Sequence, residues 1–317
     1  MTNRKVGIIG AGAVGATAAF SLSMTGTCNE IILYDIDINI AMGKAIDIEQ
    51  ATSYSPSGTK VTGAEQPSDM KDCDIVVITA GVPRTGDMTR EDLLLINAKI
   101  TKEVVENIKI YSPNAIIICV SNPLDVMSYV CHKITQWDRN RIIGMAGALD
   151  SSRMAYQINN HLGYGRAQTK AMVLGDHGEN MIPVPSLSSI GGVPITEIVS
   201  KENMKQIIAR TKTGGAEIVK QLGTSAYYAP GRCVAIMVEA ILNNSQIIIP
   251  SSVLLDGEYG HKDVSVGVPI IVGKNGIEKI IELEFDDELQ GKFDQSVATI
   301  KKGIEVLTKN NFFNSLT

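Results

Sequence analysis

The sequence predicts an α/β protein: a doubly wound parallel sheet over residues 1–146, followed by a mixed α+β unit over 147–317. Three observations predict it. Short apolar runs alternate with helical patterns through the first half, which implies βαβ units and a parallel sheet. A glycine cluster, Gly10-x-Gly12-x-x-Gly15, sits where the first apolar run gives way to the first helical pattern. In the second half, apolar runs follow one another without an intervening helix, which reads as antiparallel strands.

Taken in order, KVGIIG (5–10) reads as a strand, 13–25 as a helix of small apolar residues and IILYD (31–35) as a second strand. Residues 38–52 place Ala41, Ala45 and Ile48 on one helical face. A short strand near 60–63 precedes DIVVIT (74–79), and a long helix runs from about 89 to 111. AIIICV (115–120), a helix after Pro123 and RIIGM (141–145) complete the first half, which has the size of a dinucleotide-binding domain. The second half opens with a helix near 150–162 and AMVLGDHGENMIPVP (171–185). Helices at 202–222 and 229–243 and strands at 245–255, 264–273 and 277–284 come next. Asp286 or Asp287 caps a last helix carrying Leu289, Phe293, Val297, Ile300 and Ile304. The two halves should pack closely around a cleft.

With 44% hydrophobic and 20% charged residues, the 317-residue chain can bury a full core. A net charge of −5 argues against nucleic acid or an anionic membrane as the main partner. No apolar run is long enough to span a bilayer, and strand pattern begins by Val6 rather than after a leader. Five scattered cysteines without a CxxC pair predict reduced thiols in a cytoplasmic protein. No metal is expected, because His and Cys do not cluster at ligand spacing.

The glycine cluster follows a strand, opens a helix and stands 20 residues before Asp35. That context is the dinucleotide fingerprint of a Rossmann domain. Gly10 permits the tight turn, Gly12 lets the backbone approach a pyrophosphate, and Gly15 lets helix and strand pack. Asp35 can accept from ribose hydroxyls and would repel a 2′-phosphate, and Ile36 and Asp37 supply no cation. The expected cofactor is therefore NAD rather than NADP.

An NAD enzyme acting on an alcohol needs a base near neutral pH. Of the histidines His132, His161, His177 and His261, His177 lies at a strand end followed by glycine. Asp150 is a candidate to orient it, with a helix N-cap as its alternative role. Arg153, one helical turn on, can clamp a carboxylate with its planar guanidinium. Asn122, in SNPLD (121–125), ends a strand at the carboxyl edge of the sheet, where ligands bind. The loop AGVPRTGDMTR (80–90) follows another strand and carries two cations, Arg84 and Arg90.

GAGAVG (10–15), YD (34–35), TAGVPR (79–84), MTR (88–90), SNPLD, LDSSR (149–153) and GDHGENMIP (175–183) resemble, in order, the motifs of the lactate/malate dehydrogenase family. The resemblance covers nearly the whole chain. It implies His177 as proton acceptor, Asp150 as its orienting partner and Arg153 as the clamp on the carboxylate beside the reacting carbon. Arg90 resembles the lid arginine that polarises the carbonyl. Asn122 matches a contact to substrate and cofactor, and Asn97 is expected to contact the cofactor as well. In GTSAYYAPG (223–231), Ala226 matches a small-residue position of the substrate pocket. The loop departs from the family pattern, reading RTGDM where many relatives carry Arg-Lys-Pro-Gly-Met. The resemblance also implies a homo-oligomer, a tetramer or a dimer.

By resemblance, Arg84 faces the part of the substrate beyond the reacting carbon, where lactate enzymes carry Gln. An arginine in a closed site needs an anion opposite it. Malate and oxaloacetate supply a second carboxylate; lactate and pyruvate do not. Leaving Arg84 unpaired costs on the order of 3–5 kcal/mol, hence a preference for oxaloacetate of roughly two to four orders of magnitude in kcat/KM. The competing expectations are a lactate or other 2-hydroxy-acid dehydrogenase and a non-catalytic NAD-binding sensor on the same fold.

Overall fold

The computed structural model describes residues 4–83 and 88–316. In the first half, β1 (Lys5–Ile9), α1 (Ala13–Thr25), β2 (Glu30–Tyr34), α2 (Ile38–Thr52), β3 (Lys60–Gly63) and β4 (Ile75–Ile78) precede α3 (Arg90–Tyr111). β5 (Ile116–Cys119), α4 (Leu124–Thr135) and β6 (Ile142–Gly144) complete it. The strands lie in the order β3-β2-β1-β4-β5-β6, all parallel, which is the doubly wound arrangement. β4 and β5 are buried throughout, because helices cover both faces of the sheet.

Local chemistry sets the helix boundaries. Asp37 caps α2 by accepting from the Asn39 N–H. Thr89 and Asp92 form a reciprocal capping box that starts α3 at Arg90. Gly26, at φ 64°, ends α1 in the left-handed region.

The second half contains α5 (Ala146–Leu162), β7 (Thr169–Lys170), β8 (Val173–Leu174), β9 (Ile182–Pro183), β10 (Ser189–Ile190), β11 (Val193–Pro194) and α6 (Ile195–Ile198). α7 (Lys201–Leu222), α8 (Tyr228–Leu242), β12 (Ile247–Asp256), β13 (Lys262–Gly273), β14 (Gly276–Ile280) and α9 (Asp287–Lys309) follow, with Asp286 as the α9 cap. α5 starts four residues before the expected 150, at a point where no side chain caps it. Asp150 is therefore inside the helix and is not its N-cap.

β12, β13 and β14 form the expected antiparallel set, but β12 also pairs with β6, through Ser252 and Gly144. The result is one sheet of nine strands running across both halves. Gly144 makes the junction possible: a Cβ there would stand 2.8 Å from Ser252 Cβ and 2.5 Å from Ser128 Oγ. The last strand ends at Ile280 rather than near 284.

Candidate active site

At the carboxyl ends of β1 and β4, the backbone is packed too tightly for side chains. Gly10 has φ 102°, and a Cβ on it would stand 2.6 Å from Thr79 Oγ1. A Cβ on Gly15 would collide with the Gly10 carbonyl oxygen. Gly12 differs: no heavy atom lies within 4 Å of where its Cβ would be. It begins α1, which has no side-chain cap. Asp35 Oδ2 accepts from the Ala11 N–H at 2.7 Å, and Oδ1 accepts from the Asp37 N–H at 3.1 Å. An uncapped helix N-terminus, open backbone at Gly12 and a carboxylate with lone pairs to spare fit a pyrophosphate and an adjoining ribose.

A second cluster forms where α5 meets the loop of the β8–β9 hairpin. Asp150 and Arg153, three residues apart on α5, share one face. The hairpin loop delivers His177 to the same carboxylate. Asp150 Oδ2 lies 2.7 Å from His177 Nδ1, and Arg153 Nη1 donates to Asp150 Oδ1 at 3.0 Å. Asp150 is 1% exposed, and the His177 side chain 14%. Burial pulls the imidazole pKa down, but the charge and hydrogen bond of Asp150 outweigh it, and the net shift is upward. The other histidines are placed differently. His132 is buried on α4 and held down to about 3 by burial beside Arg139 and Lys133. His161 is exposed, and His261 pairs with Asp294 at 2.7 Å.

Two residues outside the expected set hold His177 in place. The buried Asp125 accepts the His177 backbone N–H on Oδ2 at 2.8 Å. Burial pushes its carboxyl up to about 6, against the lowering effect of Ser252 and the His177 N–H. Ser296 on α9 donates to Asp176 Oδ1 at 3.0 Å and accepts the Asp176 N–H. Asp125 left no distinct sequence signal, because an acidic residue in the first turn of a helix is ordinary. Ser296 left none.

The remaining site residues spread around this cluster. Arg90, at the start of α3, is exposed and pairs with Glu179 at 3.0 Å, two residues beyond His177. Asn97 is 2% exposed, and its amide is engaged with the protein. Oδ1 accepts the Val82 N–H at 2.9 Å, and Nδ2 donates to the Val82 and Asn122 carbonyls at 3.2 and 2.7 Å. It acts as a brace between the β4 loop and the β5 end. Asn122 is exposed at that end, and Ala226 is half-buried between α7 and α8. Arg84 lies outside the described residues.

The chain matches known proteins along nearly its full length. Residues 4–144 match the lactate/malate dehydrogenase NAD-binding domain, and residues 147–311 match the α/β C-terminal domain of the same enzymes. Malate dehydrogenase of Sulfurimonas denitrificans is 52% identical over 98% of both chains. The Aliarcobacter butzleri malate dehydrogenase is 47% identical, over 99% of this chain and 100% of its own. Among solved structures, Aeropyrum pernix malate dehydrogenase is 41% identical with a TM-score of 0.90, covering 95% of this chain and 97% of its own. A Cryptosporidium parvum lactate dehydrogenase, complexed with lactic acid and nicotinamide adenine dinucleotide, is 35% identical with a TM-score of 0.92, covering 97% and 99%. The chain belongs to the lactate/malate dehydrogenase family.

Proposed function

We propose that this chain is an NAD-dependent malate dehydrogenase, interconverting (S)-malate and oxaloacetate. The observation that carries the proposal is the single Asp150 carboxylate that holds both a base, His177, and a carboxylate clamp, Arg153. Lactate and malate dehydrogenases share the fold, so the backbone does not choose between the acids. Arg84 and the curated relatives named malate dehydrogenase favour the dicarboxylate.

Arg153 holds the carboxylate beside C2, and Arg84 holds the far carboxylate. Arg90 exchanges Glu179 for the C2 oxygen as the loop closes, while Asn122 contacts the substrate from the β5 end. His177 takes the hydroxyl proton on Nε2, and Asp150 stabilises the imidazolium. NAD, when bound, supplies the hydride acceptor; Gly10, Gly12, Gly15 and Asp35 would hold it, with Asn97 acting through Asn122. In reduction, protonated His177 returns the proton to the oxygen. The division after residue 146 is then functional, cofactor side before it and acid–base side after it.

The test is steady-state oxidation of NADH with oxaloacetate and with pyruvate. Oxaloacetate should be favoured by at least about a hundredfold in kcat/KM; equal use of the two would overturn the substrate assignment. We also assign the enzyme to the cytoplasm as a homo-oligomer, a dimer or a tetramer. Five buried, free cysteines are compatible with a reducing compartment. Phe20 and Met24 on α1, and Ile38, Met42 and Ile46 on α2, are exposed apolar side chains that a second copy would cover. Light scattering that returned a monomer would remove the oligomer assignment.

A further inference from the structure

Helix α7 carries two adjacent glycines, Gly214 and Gly215, deep in its interior. Glycine weakens a helix at such positions relative to alanine. Their neighbour supplies a reason. α7 packs against α5, and a Cβ on Gly215 would stand 3.2 Å from Arg153 Nη2, 3.5 Å from Cζ and 3.6 Å from Nη1. These atoms belong to one guanidinium plane. Gly214 is placed differently, since its Cβ would meet only Arg153 Cδ, at the ordinary distance of 3.9 Å.

The guanidinium has little freedom to step aside. Nη1 is bonded to Asp150 Oδ1, and the other oxygen of Asp150 holds His177. Arg153 Nε is buried without a hydrogen-bond partner, so no acceptor on that edge offsets a rotation. A methyl at 215 therefore pushes either on the face that meets a carboxylate or on the Asp150–His177 pair. Planar two-point recognition is sensitive to displacements of that kind.

We propose that Gly215 is a positioning residue for Arg153: its missing side chain sets the height and tilt of the guanidinium. The proposal rests on the assignment of Arg153 as the substrate clamp. Bare backbone at 215 is maintained at the expense of helix propensity.

Gly215→Ala, Gly214→Ala and Arg153→Lys are compared by kinetics with oxaloacetate and NADH and by thermal unfolding. Gly215→Ala should raise the oxaloacetate KM about 5- to 50-fold, lower kcat less, and leave the NADH KM within about twofold. Its Tm should be equal or higher, because alanine favours the helix. Gly214→Ala should raise Tm and leave KM within about twofold. An unchanged oxaloacetate KM in Gly215→Ala overturns the proposal. So does a joint loss of Tm and kcat, which marks plain overpacking. In an Arg153→Lys background no guanidinium plane remains, so Gly215→Ala should add nothing to KM; an equal rise in both backgrounds also overturns it. If Arg153→Lys itself leaves KM unchanged, the clamp assignment fails. If it raises KM steeply while Gly215→Ala does nothing, only the role of Gly215 falls.

Discussion

Asp150 Oδ2 lies 2.7 Å from His177 Nδ1 at the buried end of the site. An ionised carboxylate only accepts, so Nδ1 carries the hydrogen and Nε2 is left for the substrate. The folded-state pKa of His177 is raised above its ordinary 6.5. The pairing therefore stabilises the fold fully below pH 6.5, and that stability is lost as pH rises through the raised value. Catalysis follows the same proton. Oxaloacetate reduction needs imidazolium and should decline above the raised pKa, whereas malate oxidation needs neutral imidazole and should rise through it.

Replacing Asp150 by Asn removes the charge but keeps the size. The kcat/KM for oxaloacetate should fall by about two to four orders of magnitude, in line with other carboxylate–histidine pairs. The alkaline limb of the reduction profile should also move to lower pH, because the charge that raised His177 is gone. The check is a pH profile of both enzymes; a limb that stays in place would show that Asp150 is not the source of the shift.

Asp125 predicts a stability effect of the same sense, centred at lower pH. Its carboxyl is raised from 3.8 to about 6. A raised carboxyl contributes stability that is fully present below pH 3.8 and lost as pH rises through about 6. That rise in the carboxyl pKa corresponds to roughly 3 kcal/mol. Asp125→Asn keeps an oxygen for the His177 N–H and escapes that loss. Urea unfolding should show the variant gaining on the wild type between pH 4 and 7.5, with the His177 limb moving to lower pH. A gap that does not change with pH would exclude an ionising Asp125.

Asp35→Asn keeps an acceptor oxygen for the Ala11 N–H while losing the charge proposed to select the cofactor. Charged hydrogen bonds contribute about 1.5–3 kcal/mol each. The preference for NADH over NADPH should therefore shrink by about 10- to 100-fold. Kinetics with the two cofactors check this, and an unaltered ratio would leave Asp35 as loop scaffolding only.

Sequence exposed the parts of the site whose chemistry is local. Gly10, Gly12 and Gly15 are legible because strand, turn and helix are contiguous, and Asp150 with Arg153 because one helical turn joins them. Asp125 reads as an ordinary first-turn acid of α4, and its partner lies 52 residues away. Ser296 bonds across 120 residues, and a serine on a helix carries no signal of its own. The glycines of α7 look like a helix defect until Arg153 is seen beside them. The docking of β12 on β6 was hidden for a related reason: edge pairing depends on which strand is left open, and no single segment records that. Asn97 shows the converse, since its residue type fits a ligand contact while its buried amide serves the backbone.

Arg84→Gln tests the substrate assignment most directly. In water an unpaired arginine costs little, but in a closed site it must find an anion or leave a charge unmatched, at about 3–5 kcal/mol. Oxaloacetate offers that anion and pyruvate does not, so in the proposed role Arg84 would act as much by rejecting pyruvate as by attracting oxaloacetate. Glutamine removes both effects while keeping a polar, neutral side chain. The oxaloacetate-to-pyruvate ratio of kcat/KM should therefore fall by about two to four orders of magnitude, partly through a gain with pyruvate. That gain separates a specificity role from damage to the loop, which would depress both substrates together. Equal losses with both substrates would place Arg84 in loop closure instead, and the choice of acid would pass to other residues of the pocket.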